Sequence, residues 1–122
     1  MSFLKYPMMR AELIEHLNAL ADIDYQRRVW VLGGSEGQIK HDEFDYAVHF
    51  LYDDTNLAHE PTSMIGEILI GSEEAVKISK LIEKLELIFV QYGTELSDAD
   101  YIQLPEWADV LDAAKDAVEL IQ

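Results

Sequence analysis

Between Glu73 and Tyr92 the chain sets Ile78, Leu81, Ile82, Leu85, Ile88, Phe89 and Tyr92 at intervals of three and four residues. That interval matches the 3.6-residue turn of an α-helix and leaves one wide apolar face that something else must cover. Ser72 is a favourable N-cap, Glu73 and Glu74 place negative charge in the first turn, and Gly93 supplies a left-handed stop. A second stripe, Trp107, Val110, Leu111, Ala114, Val118 and Ile121, follows Pro105, the expected first position of the last helix. A third face collects Met9, Leu13, Ile14, Leu17, Leu20 and Ala21 in a segment from about Pro7 to Ile23. With 122 residues to share, three such faces predict a single domain over 1–122, mainly α, a helical bundle of about five helices.

The remaining segments are less decided. Tyr25 to Leu32 reads as the end of a helix or as a short strand. Gly33, Gly34 and Gly37 predict an exposed, mobile loop over about 33–40. Phe44 to Tyr52 fits both periods; the acids Asp42 and Glu43 suit a helix start and favour the helix. Asp53 to Ser63 reads as a loop, and Ile65 to Ile70 as a short apolar helix or strand. Ser97 and the acids after it cap one turn through Tyr101. Short strands, and with them an α+β arrangement, are the alternative fold.

The charge is heavily one-sided: 24 Asp and Glu against 9 Lys and Arg, a formal net charge of −15. From His41 to Val76 there are nine acids and no Lys or Arg; from Leu85 to Gln122 there are nine more and one base, Lys115. Self-repulsion of this size opposes compaction, and a positive partner would offset it and be steered in quickly. Nucleic-acid phosphates and anionic lipid surfaces would be repelled. No apolar run approaches the ~20 residues of a spanning helix, and the N-terminus lacks leader features, so a cytoplasmic protein is expected. The absence of cysteine excludes disulfides, thiolate catalysis and Cys-ligated metal sites.

No catalytic motif emerges. His41, Asp45 and His49 are spaced i, i+4, i+8, without a sharp zinc pattern such as HExxH. Asp53 and Asp54 invite a carboxylate-pair reading, and a metal-dependent hydrolase using His49, Asp53 and Asp54 is the enzyme alternative. Ser35 in GGSEG does not match a nucleophile elbow. Tyr46, Phe50 and Tyr52 lack the basic groove of a base-stacking surface and read as core. Arg27 and Arg28, a rare basic pair, are expected to clamp Asp53 or Asp54 inside the fold. Trp30 and Trp107 are expected to be structural.

Several pieces together form a pattern: Asp24-Tyr25-Gln26-Arg27-Arg28-Val29-Trp30, then Val48-His49-Phe50-Leu51-Tyr52-Asp53-Asp54-Thr55, Ile65-Gly66, Leu96-Ser97-Asp98, Tyr101 and Pro105-Glu106-Trp107. The pattern resembles a poorly characterised family of small acidic cytoplasmic bacterial proteins. In size, acidity and lack of catalytic motifs the chain is also similar to immunity proteins of contact-dependent growth inhibition and polymorphic toxin systems. The resemblance implies no enzyme activity and no catalytic residues.

The expectation is a non-enzymatic binding domain without cofactor or metal, in its most concrete form an immunity protein that neutralises a basic toxin, plausibly a nuclease. A regulatory adaptor is the further alternative. The acids expected to meet the partner are Asp42, Glu43, Asp45 and Glu60 in the central stretch and Asp109, Asp112 and Asp116 on the last helix, with the central stretch favoured.

Overall fold

A computed structural model describes residues 4–32 and 43–122. The chain folds as a mainly α bundle, and the described residues contain no strand, only an isolated bridge between Ile65 and Leu69. The helices are α1 (Pro7–Ala21), α2 (Ile23–Tyr25), α3 (Phe44–His49), α4 (Ser72–Tyr92), α5 (Asp98–Tyr101) and α6 (Trp107–Ile121). Two widened, π-helical turns extend them: Gln26–Val31 continues α2 and Phe50–Asp54 continues α3. A 3₁₀ turn spans Pro61–Met64. The loop expected over 33–40, and Asp42, lie outside the described residues. No described helix is long and apolar enough to cross a membrane.

Helix α6 lies between α1 and α4 and packs on both, so the three predicted stripes cover one another. Leu13, Leu17, Ile78, Leu81, Leu85, Val110 and Ala114 are fully enclosed in a single continuous core. The stretch Tyr25–Leu32, open between helix and strand, is helical, and so is Phe44–Tyr52. In the second, Phe50 is buried whereas Tyr46 is exposed and Tyr52 half-buried, so only one of the three aromatics expected in the core is fully there.

Helix boundaries differ from expectation at two places. Gly71, not Ser72, is the N-cap of α4, with no side-chain capping bond, and in the first turn the Glu74 carboxylate accepts a hydrogen bond from the Ile70 amide of the preceding segment at 2.8 Å. Pro105 sits in the turn before α6, which begins at Trp107. Gly93 does end α4, with φ +86°, a region that disfavours any side chain.

A cluster of rings closes the end of the bundle nearest α3. Phe44 lies 5.1 Å from Trp107 and 5.1 Å from Tyr101, both edge-on, and 5.6 Å from Trp30. Beneath it Gln26, completely buried, accepts from the Trp107 indole N–H at 2.9 Å and donates to the Ala19 carbonyl at 2.8 Å. One polar side chain thereby satisfies a buried donor on α6 and a carbonyl near the end of α1.

The expected arginine clamp is a different one. Arg27 and Arg28 are exposed, as are Asp53 and Asp54, and Arg27 lies 3.9 Å from Asp24 on its own turn. The reason is helical phase: Gln26 and Trp30 turn inward, which carries the two arginines between them outward. Arg10 takes the role instead. Its guanidinium grips both oxygens of Glu74 at 2.8 and 2.9 Å and donates to the carbonyls of Ile68 and Ile121.

A candidate protein-binding groove on the acidic face

The two acidic stretches meet different surroundings in the fold. On the last helix, Asp109, Asp112 and Asp116 line a shallow groove whose opposite wall is Lys77, Lys80 and Lys84 of α4. Three acids and three lysines line this one groove, so the formal charge of its described lining is zero. The lysines are there because the α4 stripe that meets α6 leaves positions 77, 80 and 84 along the edge of the contact.

The acids of the central stretch have different neighbours. Glu43 and Asp45 open α3, and the chain after α4 brings Glu95 and Asp98 to the same place. These four acids rim a groove of about 370 Å³ that, among the described residues, is otherwise lined by Phe44, Val48, Phe89, Thr94, Leu96 and Tyr101. Asp98 is built into the wall: its carboxylate accepts a hydrogen bond from the Phe44 amide at 3.0 Å and so caps α3 from a distant part of the chain. Tyr101 is anchored by its hydroxyl, which donates to the Gly93 carbonyl at 2.8 Å, and burial pushes that phenol above its ordinary pKa.

Beside the groove, one turn further along, His49 stands between two carboxylates. Its Nδ1 is 2.5 Å from Asp53 and its Nε2 is 3.2 Å from Asp45. The Asp53 hydrogen bond, then the Asp45 charge, raise the imidazole pKa above 6.5. All three side chains are more than half exposed, so the cluster is a solvated surface network. The structure thus brings His49 and Asp53 together, as the hydrolase alternative requires. Among the described residues, however, no group of three His, Asp or Glu side chains is placed to hold a metal ion. Glu60 is exposed at the start of the 3₁₀ turn and lines neither groove.

The model of one family, described as a domain of unknown function, DUF7945, matches residues 4–122. The chain belongs to the DUF7945 family. No curated protein and no solved structure matches it. Membership covers nearly the whole chain and assigns it no activity.

Of the seven acids expected to meet a partner, Glu43 and Asp45 line the acidic groove of this DUF7945 domain, and Asp109, Asp112 and Asp116 line the balanced one. Glu95, Asp98 and Phe89 were missed as site residues. The acid after Ser97 was legible as part of a helix cap, but its bond to Phe44 spans 54 positions, and no local pattern carries that.

Proposed function

We propose that this protein is a non-enzymatic binding domain that engages a basic protein through the α3 face, and that in the cell it acts as an immunity protein, neutralising a cationic toxin such as a nuclease by presenting carboxylates where the toxin binds phosphates. The observation that carries this reading is that Glu43, Asp45, Glu95 and Asp98, from two distant parts of the chain, gather around the apolar side chains of Val48, Phe89 and Leu96. A carboxylate surface of this kind mainly accelerates encounter and is screened over about 8 Å at physiological salt.

The test is to read the neighbouring gene and, if it encodes a toxin domain, to co-express the two proteins and measure association kinetics at rising salt. Association should slow with salt while dissociation changes less. Charge reversal at Glu43 and Asp45 should slow it further, and reversal at Asp109, Asp112 and Asp116 should do so less. An acidic partner, or an association rate indifferent to both salt and the α3 reversals, would remove this mechanism.

A further inference from the structure

Helix α4 carries a second seam on the side away from the core. Glu73, Val76, Lys80, Glu83, Leu87 and Val90 follow one another at alternating intervals of three and four residues, and all six are exposed. Val76 is 54%, Leu87 55% and Val90 84% exposed, whereas the inner stripe of the same helix, Ile78, Leu81, Ile82, Leu85 and Ile88, is buried. Alternating steps of three and four are the spacing along which two helices pair. We propose that this seam binds a second copy of the chain, with the two α4 helices antiparallel about a two-fold axis. The inference goes beyond the reading given above, and none of the six residues lines the groove at α3.

Charge names the occupant. The chain carries a formal −15, so a second copy is repelled along most approaches. The outer half of α4 is different: Glu73, Glu83 and Glu86 are offset by Lys77, Lys80 and Lys84. Among the described residues, neither Lys80 nor Glu83 has an ion-pair partner within its own fold.

The order of the seam also fixes the direction. In an antiparallel pair centred between positions 81 and 82, Lys80 meets Glu83 of the second copy, and Val76 meets Leu87 of the second copy. The two-fold axis makes each contact occur twice. Two layers of opposite charge therefore lie at the centre, closed on either side by an apolar layer, and the ends set Val90 against Glu73. A parallel pair would instead place Lys80 on Lys80 and Glu83 on Glu83, which like-charge repulsion opposes.

The experiment is sedimentation of the full chain at physiological salt over rising protein concentration. A single helix pair is a small interface, so the dimer should dissociate between about 10 µM and 1 mM. Lys80→Glu or Glu83→Lys turns two attractive contacts into two repulsive ones and should raise the dissociation constant about tenfold. The two changes together exchange the charges and should restore it. Register is read by cross-linking, which the absence of native cysteine makes unambiguous. Under mild oxidation, a mixture of Val76→Cys and Leu87→Cys chains should give disulfide-linked pairs that join the two variants. Leu87→Cys alone should not, because the antiparallel register holds the two copies of that position about 16 Å apart along the seam.

A monomer at every concentration up to about 1 mM overturns the proposal. So does a dimer indifferent to both charge reversals, or a double reversal that dimerises no better than the single ones. A disulfide that forms from Leu87→Cys alone as readily as from the mixture overturns it too.

Discussion

Replacing Arg10 by methionine tests how the bundle is closed. The guanidinium joins α1 to four acceptor oxygens: both of the Glu74 carboxylate, the Ile68 carbonyl, and the Ile121 carbonyl at 2.6 Å at the end of α6. The two side chains are 14% and 9% exposed. Methionine keeps much of the stem and deletes every donor. Glu74 then retains the Ile70 amide among its described partners. Burial works against its ionised form. In the native protein the Arg10 hydrogen bonds, the Ile70 amide and the Arg10 charge outweigh burial and hold the carboxyl below its ordinary 4.5.

Breaking one side of such a pair costs ~3–5 kcal/mol, and the slight exposure places Arg10→Met near the lower figure. For a chain of this size that is a fall in Tm of about 12 °C. The assay is urea unfolding of the wild type, Arg10→Met, Glu74→Met and the double variant. Both single changes should lower the midpoint strongly. The double should recover part of the loss, because two methionines leave neither charge stranded while the Ile68 and Ile121 carbonyls and the Ile70 amide still lose their partners. The pH dependence has a definite sign. The folded pKa of Glu74 lies below its unfolded one, so the pair's contribution is present above about pH 4.5 and is lost as pH falls through the folded value. The gap between wild type and Glu74→Met should therefore narrow in acid. An Arg10→Met variant within ~0.5 kcal/mol of wild type would refute the reasoning, as would a gap that does not change in acid.

Trp107→Ala should cost ~3–5 kcal/mol, since it empties the space beside the Phe44 and Trp30 rings and leaves the buried Gln26 oxygen without its indole donor; an unchanged urea midpoint would count against the ring cluster. His49 should titrate above 6.5 by NMR, its imidazolium persisting to higher pH than in the unfolded chain. Asp53→Asn should bring that value down, and no movement would show that the hydrogen bond is not its cause.

The three apolar stripes were legible because each lies within one helix, where residues three and four apart share a face whatever the rest of the chain does. Their register needed no tertiary knowledge. The caps were less legible. Ser72 is a better capping residue than Gly71, yet the helix starts from Gly71, and Glu74 in its first turn is committed to the Ile70 amide and to Arg10, contacts that no local pattern announces. Long-range polar contacts left no trace in the sequence. Gln26 is buried because an indole 81 positions away needs an acceptor, and the arginine that clamps a carboxylate is Arg10 because Arg27 and Arg28 fall on the outer phase of their turn.

The acidity shows the same division between local and tertiary information. Composition states that 24 acids outnumber 9 bases, and position along the chain suggests two negative stretches of equal weight. What separates them is which helix each acid is packed beside. Lys77, Lys80 and Lys84 lie outside both stretches, and the contact of α4 with α6 delivers all three to Asp109, Asp112 and Asp116. Glu95 and Asp98, counted with the second stretch, are carried by the chain after Gly93 to the mouth of α3. Folding therefore sets the acids of the last helix beside lysines and gathers four other acids around Val48, Phe89 and Leu96. A diffuse negative surface serves solubility anywhere on a protein. Gathering four carboxylates around apolar side chains instead crowds like charges beside a half-buried Phe89.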